Sequence, residues 1–187
     1  MSSTDSPRPF DAADGDPGGT GDDTAANTDD AILAAAGQLE ELREQERSLQ
    51  FTSFDYDDAW DVGSRLRDEA LAASLPVAIA VVFGEQRVFH AALPGSSAEN
   101  DDWLRRKFNV VRRYGEASYT VGTLYRSRGT TFEASSRLPL ADFAAHGGAF
   151  PLRVNGSLIG AVGVSGLAQS DDHDLVVSAL SYLRGQE

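Results

Sequence analysis

The chain has 187 residues, no cysteine and a formal charge of −13, from 29 acidic and 16 basic side chains of which Lys107 is the single lysine. That length allows one domain with a tail, and the lack of cysteine removes disulfides, thiol nucleophiles and Cys-ligated metals. A surface so acidic repels polyanions, so nucleic acid is not an expected partner.

No 18-residue apolar run is present, so no membrane contact is expected. The N-terminus lacks the basic and apolar regions of a secretory signal, which makes the expected location cytoplasmic. Heavy Asp and Glu use beside one lysine points to a halophilic protein, because high salt shortens the reach of like-charge repulsion.

Residues 1–30 carry eight Asp, one Arg, four Gly and three Pro, with Phe10 the only aromatic. Such a segment buries too little apolar surface to offset the entropy of ordering it, so 1–30 is expected to be a disordered acidic tail and 31–187 the α/β domain. Residues 31–49 read as a helix with a narrow stripe of Ile32, Ala35, Ala36, Leu39, Leu42 and Leu49, interrupted by Glu46. A second helix is expected over 56–74, capped by Asp55, with Asp57 and Asp58 in its first turn. Pro76 ends it and leads into a buried strand over 77–83 (VAIAVVF).

Gly84-Glu85 turns the chain into a second strand over 86–92, where His90 belongs either in the core or on the sheet's second face. Residues 99–113 read as a helix capped by Ser97 or Asn100. Arg105, Arg106, Lys107, Arg112 and Arg113 make it the most basic element of an acidic chain. They either neutralise neighbouring acids, across a subunit contact for instance, or form an anion site for a carboxylate or propionate. Gly115 breaks this helix, and 117–127 follows as a helix whose β-rich composition leaves a strand open. Leu140–Ala145 is expected to be a short helical turn that delivers His146 at its C-terminal end.

The stretch from His146 to His173 organises the rest. Strand-like runs at 149–154 (AFPLRV) and 158–165 (LIGAVGVS) flank Asn155-Gly156, a strong hairpin signal because both residues tolerate positive φ. Gly147-Gly148 allows backbone geometry closed to other residues, or the close approach of a ligand. Ser170 is the expected cap of the last helix, with Asp171, Asp172 and Asp174 in its first turn; those three acids weigh against an anion at that terminus.

These residues resemble the haem-degrading-domain family, the GlcG/HbpS-like group, in the branch with HGGAFP and VSGL…DH motifs. The matching pieces are LQF at 49–51, FDYDDAWDVG at 54–63, LPVAIAV at 75–81, VFHAALPGSSAENDDWLRRK at 88–107, HGGAFPLRV from 146 and GAVGVSGLAQSDDHDLVV up to 177. The resemblance implies a profilin-like α/β (α+β) domain, an antiparallel sheet of about five strands flanked by helices. It also implies assembly into homo-oligomers, with haem as a cofactor of some members.

Three function classes follow. In the first, haem or another small anionic ligand binds near the 146–173 hairpin. His146 and His173 are then candidate metal ligands, Gly147 and Gly148 line the site, and Arg106 and Lys107, with Arg105, meet carboxylates. In the second, the chain is a non-catalytic oligomeric scaffold and both histidines are structural. In the third, His146, His173 and Asp171, Asp172 and Asp174 converge on a hydrolytic metal, although no HExxH or GxSxG pattern is present.

Overall fold

The computed structural model of the chain describes residues 22–186, with side chains from 28 onward. Its elements are α1 (Asp22–Ser48), α2 (Tyr56–Ala72), β1 (Ala78–Phe83), β2 (Gln86–Ala92), α3 (Ala98–Tyr114), α4 (Ser118–Arg126), α5 (Phe132–Ser135), β3 (Ala149–Val154), β4 (Ser157–Ser165) and α6 (Gln169–Arg184). α1 begins nine residues before the expected start, so residues 22–30 are helical backbone; the rest of the expected tail, 1–21, lies outside the described residues.

The strands form one antiparallel sheet in the order β2-β1-β4-β3. Among the described residues this makes four strands where about five are expected. The segment after α1 supplies only a single parallel bridge, Phe51 to Val154, before the chain leaves for Asp55, the N-cap of α2. The hairpin β3–β4 turns at Asn155 (φ 48) and Gly156 (φ 82), both in the left-handed region that the Asn-Gly pair favours.

Both faces of the sheet are covered, which is why β1 is a continuous apolar run. Ile79 and Val81 face α2 and α6, packing with Val62, Leu66, Val162, Val176 and Leu180. Ala78, Ala80 and Val82 face α3, against Leu104, Phe108 and Val111. The small residues on that second face bring α3 close: a Cβ on Gly163 would lie 2.8 Å from the Phe108 ring. His90 is on this face too, outside the core, with Nε2 2.8 Å from Asp101 Oδ1.

The 117–127 segment is helix α4, and α1 lies along it. Glu46 of α1 caps α4 from outside: its Oε1 accepts the Ala117 N–H at 2.9 Å and the Thr120 hydroxyl at 2.5 Å. Leu140–Ala145 is not the expected helical turn. Two amides, those of Asp142 and Phe143, close onto Pro139 O, after which the chain runs irregularly to His146, held by Ala144 N–H to Arg106 O at 3.3 Å.

Candidate functional site

The apolar face of α3 carries one charge. Leu104, Lys107, Phe108 and Val111 follow helical spacing, so Lys107 is turned inward with its apolar neighbours. Only 3% of its side chain is exposed, and Nζ donates to Asp172 Oδ2 at 2.8 Å and to Val164 O at 3.1 Å. Asp172, 2% exposed, belongs to the first turn of α6 and accepts the Leu167 N–H on Oδ1 at 3.0 Å. The expected cap, Ser170, is inside α6; the N-cap is Ala168, which has no side-chain oxygen, and Asp172 instead ties down the loop that precedes the helix.

Burial lowers Lys107 from its ordinary pKa, opposed by Asp172. Burial likewise raises Asp172, opposed by Lys107 and by the backbone N–H groups of Leu167 and Gly166. The second acceptor at Val164 O and the donors on Asp172 both favour the charged forms, so the pair stands as ammonium and carboxylate.

Two turns close over this pair, and both need glycine. A Cβ on Gly147 would overlap Gln169 O, and one on Gly148 (φ 116) would overlap Val164 O and lie 2.7 Å from Lys107 Nζ. Gly166 (φ 153) passes equally close to Pro76 O. Between them opens a cleft of about 280 Å³, lined by Asn100, Trp103 and Lys107 of α3, His146 and Gly147, the 165–167 turn, Gln169 and Asp172. Asn100 Nδ2 donates to Ser165 O at 3.2 Å and fixes that turn.

At the rim, His146 Nε2 is 3.3 Å from Glu133 Oε1, and the ring meets Trp103 edge to face at 5.1 Å. The Arg106 guanidinium lies over the same indole, 4.0 Å from its centroid, while its Nε donates to Asp102 at 2.8 Å.

The structure therefore gathers Lys107, His146 and Gly147 at one cleft, with Gly148 packed beside Lys107 Nζ and Arg106 stacked on the tryptophan. It does not gather His173. That ring is 1% exposed and points toward α1, with Nε2 2.7 Å from Gln45 Oε1 and flanking rings Tyr119 and Phe150 at 5.2 and 5.9 Å. Its Nδ1 has no partner, and burial lowers its pKa to about 4, so it is neutral. Successive helical residues diverge by about 100°, which sends Asp172 and His173 to different neighbours. The expected convergence of His146, His173 and the three aspartates is thus absent: Asp171 and Asp174 are exposed, and among the described residues no three His, Asp or Glu side chains are grouped to hold a metal.

The Lys107–Asp172 pairing, the Asn100 bond to Ser165 and the place of Trp103 beside His146 depend on partners far along the chain. One signal was present: the chain's single lysine falls on the apolar stripe of its helix.

A four-strand antiparallel sheet with helices on both faces makes this an α+β fold. Residues 54–181 match the family described as haem degrading protein HbpS-like, and the chain belongs to that family. Within it the chain is 53% identical over 152 residues to a UPF0303 protein of Streptomyces coelicolor, covering 81% of this chain and 96% of that one. It is 46% identical over 154 residues to a UPF0303 protein of Edwardsiella ictaluri, covering 82% and 98%. Among solved structures, Ybr137w protein superposes with a TM-score of 0.73 at 28% identity, over 79% of this chain and 88% of that one. A PduOC:heme complex shares the fold at a TM-score of 0.58 and 17% identity, over 69% and 94%.

Proposed function

We propose that the protein binds a small carboxylate-bearing ligand in the cleft over Lys107. The observation that carries this reading is the state of Lys107 Nζ. An ammonium has three donors; two are met by Asp172 and Val164, and the residue lines the cleft with one donor unspent. A buried N–H without a partner is costly, and an acceptor-rich ligand supplies the missing one.

Haem fits this cleft poorly. At about 280 Å³ the space lies below the range of pockets that enclose drug-sized ligands, and a porphyrin is larger than those. His146 is 44% exposed and paired with Glu133, and His173 is turned away. One chain's residues here suit a carboxylate rather than a macrocycle.

Saturation-transfer NMR with propionate, beside a hemin titration read by absorbance, tests the reading. Propionate is expected to show transfer in the wild type and none in Lys107→Met/Asp172→Asn, a pair that removes the ammonium without leaving a buried charge. Hemin is expected to give no saturable Soret shift. One-to-one hemin binding lost in His146→Ala, with no propionate transfer, would replace this reading with a haem site.

A further inference from the structure

We propose that the cleft takes its carboxylate together with one proton, which resides on Asp172, so that the ligand class is a small monocarboxylic acid bound in split form. This inference rests on the cleft being the ligand site.

Lys107 and Asp172 are both almost completely buried and cancel each other, so the cleft floor is neutral before any ligand arrives. Among the described residues, the only other ionisable side chain that lines the cleft is His146 at its rim. An incoming carboxylate that reaches Lys107 Nζ therefore places two carboxylates on one ammonium, in a space closed by Gly147 and Gly148. Two carboxylates that share a site do not both remain ionised; one keeps a proton well above its usual range. Asp172 is the one further from water, and its burial already pushes its carboxyl up.

A proton from solvent forms an O–H bond on Asp172 Oδ2, the oxygen now facing Lys107, while Oδ1 continues to accept the Leu167 N–H. The ammonium keeps all three protons and becomes the counter-ion of the ligand. No other bond forms or breaks.

The neighbouring charges leave this count intact. From α3, Arg106 is held by Asp102 and stacked on Trp103. From the α5 side, Glu133 faces His146 rather than the floor. On α6, Asp171 and Asp174 are exposed and His173 faces α1, neutral above about pH 4. β4 contributes only Ser165. Among the described residues, His146 is the one other ionisable side chain that lines the cleft, so the test removes it.

Propionate is titrated into the His146→Gln variant by calorimetry between pH 6 and 8 at fixed ionic strength. The dissociation constant is expected to rise about tenfold per pH unit, the slope of one linked proton. Two buffers of different ionisation heat should report about one proton taken up per propionate bound. Adding Asp172→Asn, which mimics the protonated side chain, should flatten the profile and tighten binding at pH 8. If that variant does not fold, the proton count still decides. Binding with a flat pH profile and no proton uptake would overturn the inference and leave the carboxylate reading standing. No propionate binding at any pH, in the variant or the wild type, would overturn both.

Discussion

Asp172 and His173 are adjacent in sequence and equally buried, yet one belongs to an open site and the other to a closed seam. Asp172 meets Lys107 under a cleft that reaches solvent. His173 meets Gln45 of α1 beneath two aromatic rings, and Glu46, one residue on, caps α4 in the same seam. The two regions spend buried polarity differently. In the cleft both partners are charged and sit at the floor of an opening. In the seam the imidazole is neutral and the bonds join one helix to another. Buried polar groups occur in both regions; the Lys107–Asp172 pair lines the cleft, and His173 faces α1.

The sharpest way to break this contrast is to remove one half of the charged pair. Lys107→Met leaves a buried carboxylate with no cation and is expected to cost about 3–5 kcal/mol at neutral pH in urea unfolding. Lys107→Met/Asp172→Asn should recover most of the loss, because no charge remains buried. If the single and double variants are equally unstable, packing rather than charge governs that position.

On the seam side, His173 makes stability depend on pH. Its folded pKa, about 4, lies below the unfolded 6.5, so between those values the unfolded chain binds the extra proton. Stability should therefore fall as pH drops from 6.5 to 4, by roughly 3 kcal/mol from this group. His173→Leu should lose that part of the slope, measured by thermal or urea unfolding at each pH.

Gly147→Ala tests the closure of the cleft. Its Cβ would overlap the Gln169 carbonyl, and the expected cost is about 1–3 kcal/mol, with weakened propionate binding because the turn must move. Glu46 gives the smallest effect, with a sign opposite to His173. Burial raises its pKa, so the folded state keeps the proton to higher pH than the unfolded chain. The stability it contributes is complete below pH 4.5 and is lost as pH rises through the folded value. Glu46→Gln should then be more stable than wild type at pH 8 and indistinguishable from it below pH 4.5, by the same unfolding measurement.

Much of the fold is legible in the sequence because local chemistry agrees with tertiary structure. Asn155-Gly156 places the hairpin, Asp55 and Ser97 start their helices with complete capping boxes, and the run from Val77 marks a strand covered on both faces. What is not legible depends on partners distant in the chain. Glu46 interrupts an apolar stripe and reads as a flaw until Ala117 and Thr120 arrive beneath it, 71 and 74 residues later. Ser170 looks like a cap, but Asp172 anchors the loop instead because Lys107, 65 residues away, draws it inward. The DDH motif reads as one cluster in a line of letters, and the helix separates it into two. Gly147 and Gly148 were recognisable as special, and the backbone they must avoid, at Gln169 and Val164, was not.

For a carboxylate bound over Lys107 the molecule carries its own reporter. Of its two tryptophans, Trp103 lines the cleft and Trp60 is exposed on α2. In Trp60→Phe, fluorescence reports Trp103 alone. A titration with propionate at pH 6 should change that emission saturably, with one site per chain, and should not do so in Trp60→Phe/Lys107→Met/Asp172→Asn. An emission unchanged by propionate, or changed equally when Lys107 is gone, would contradict the assignment.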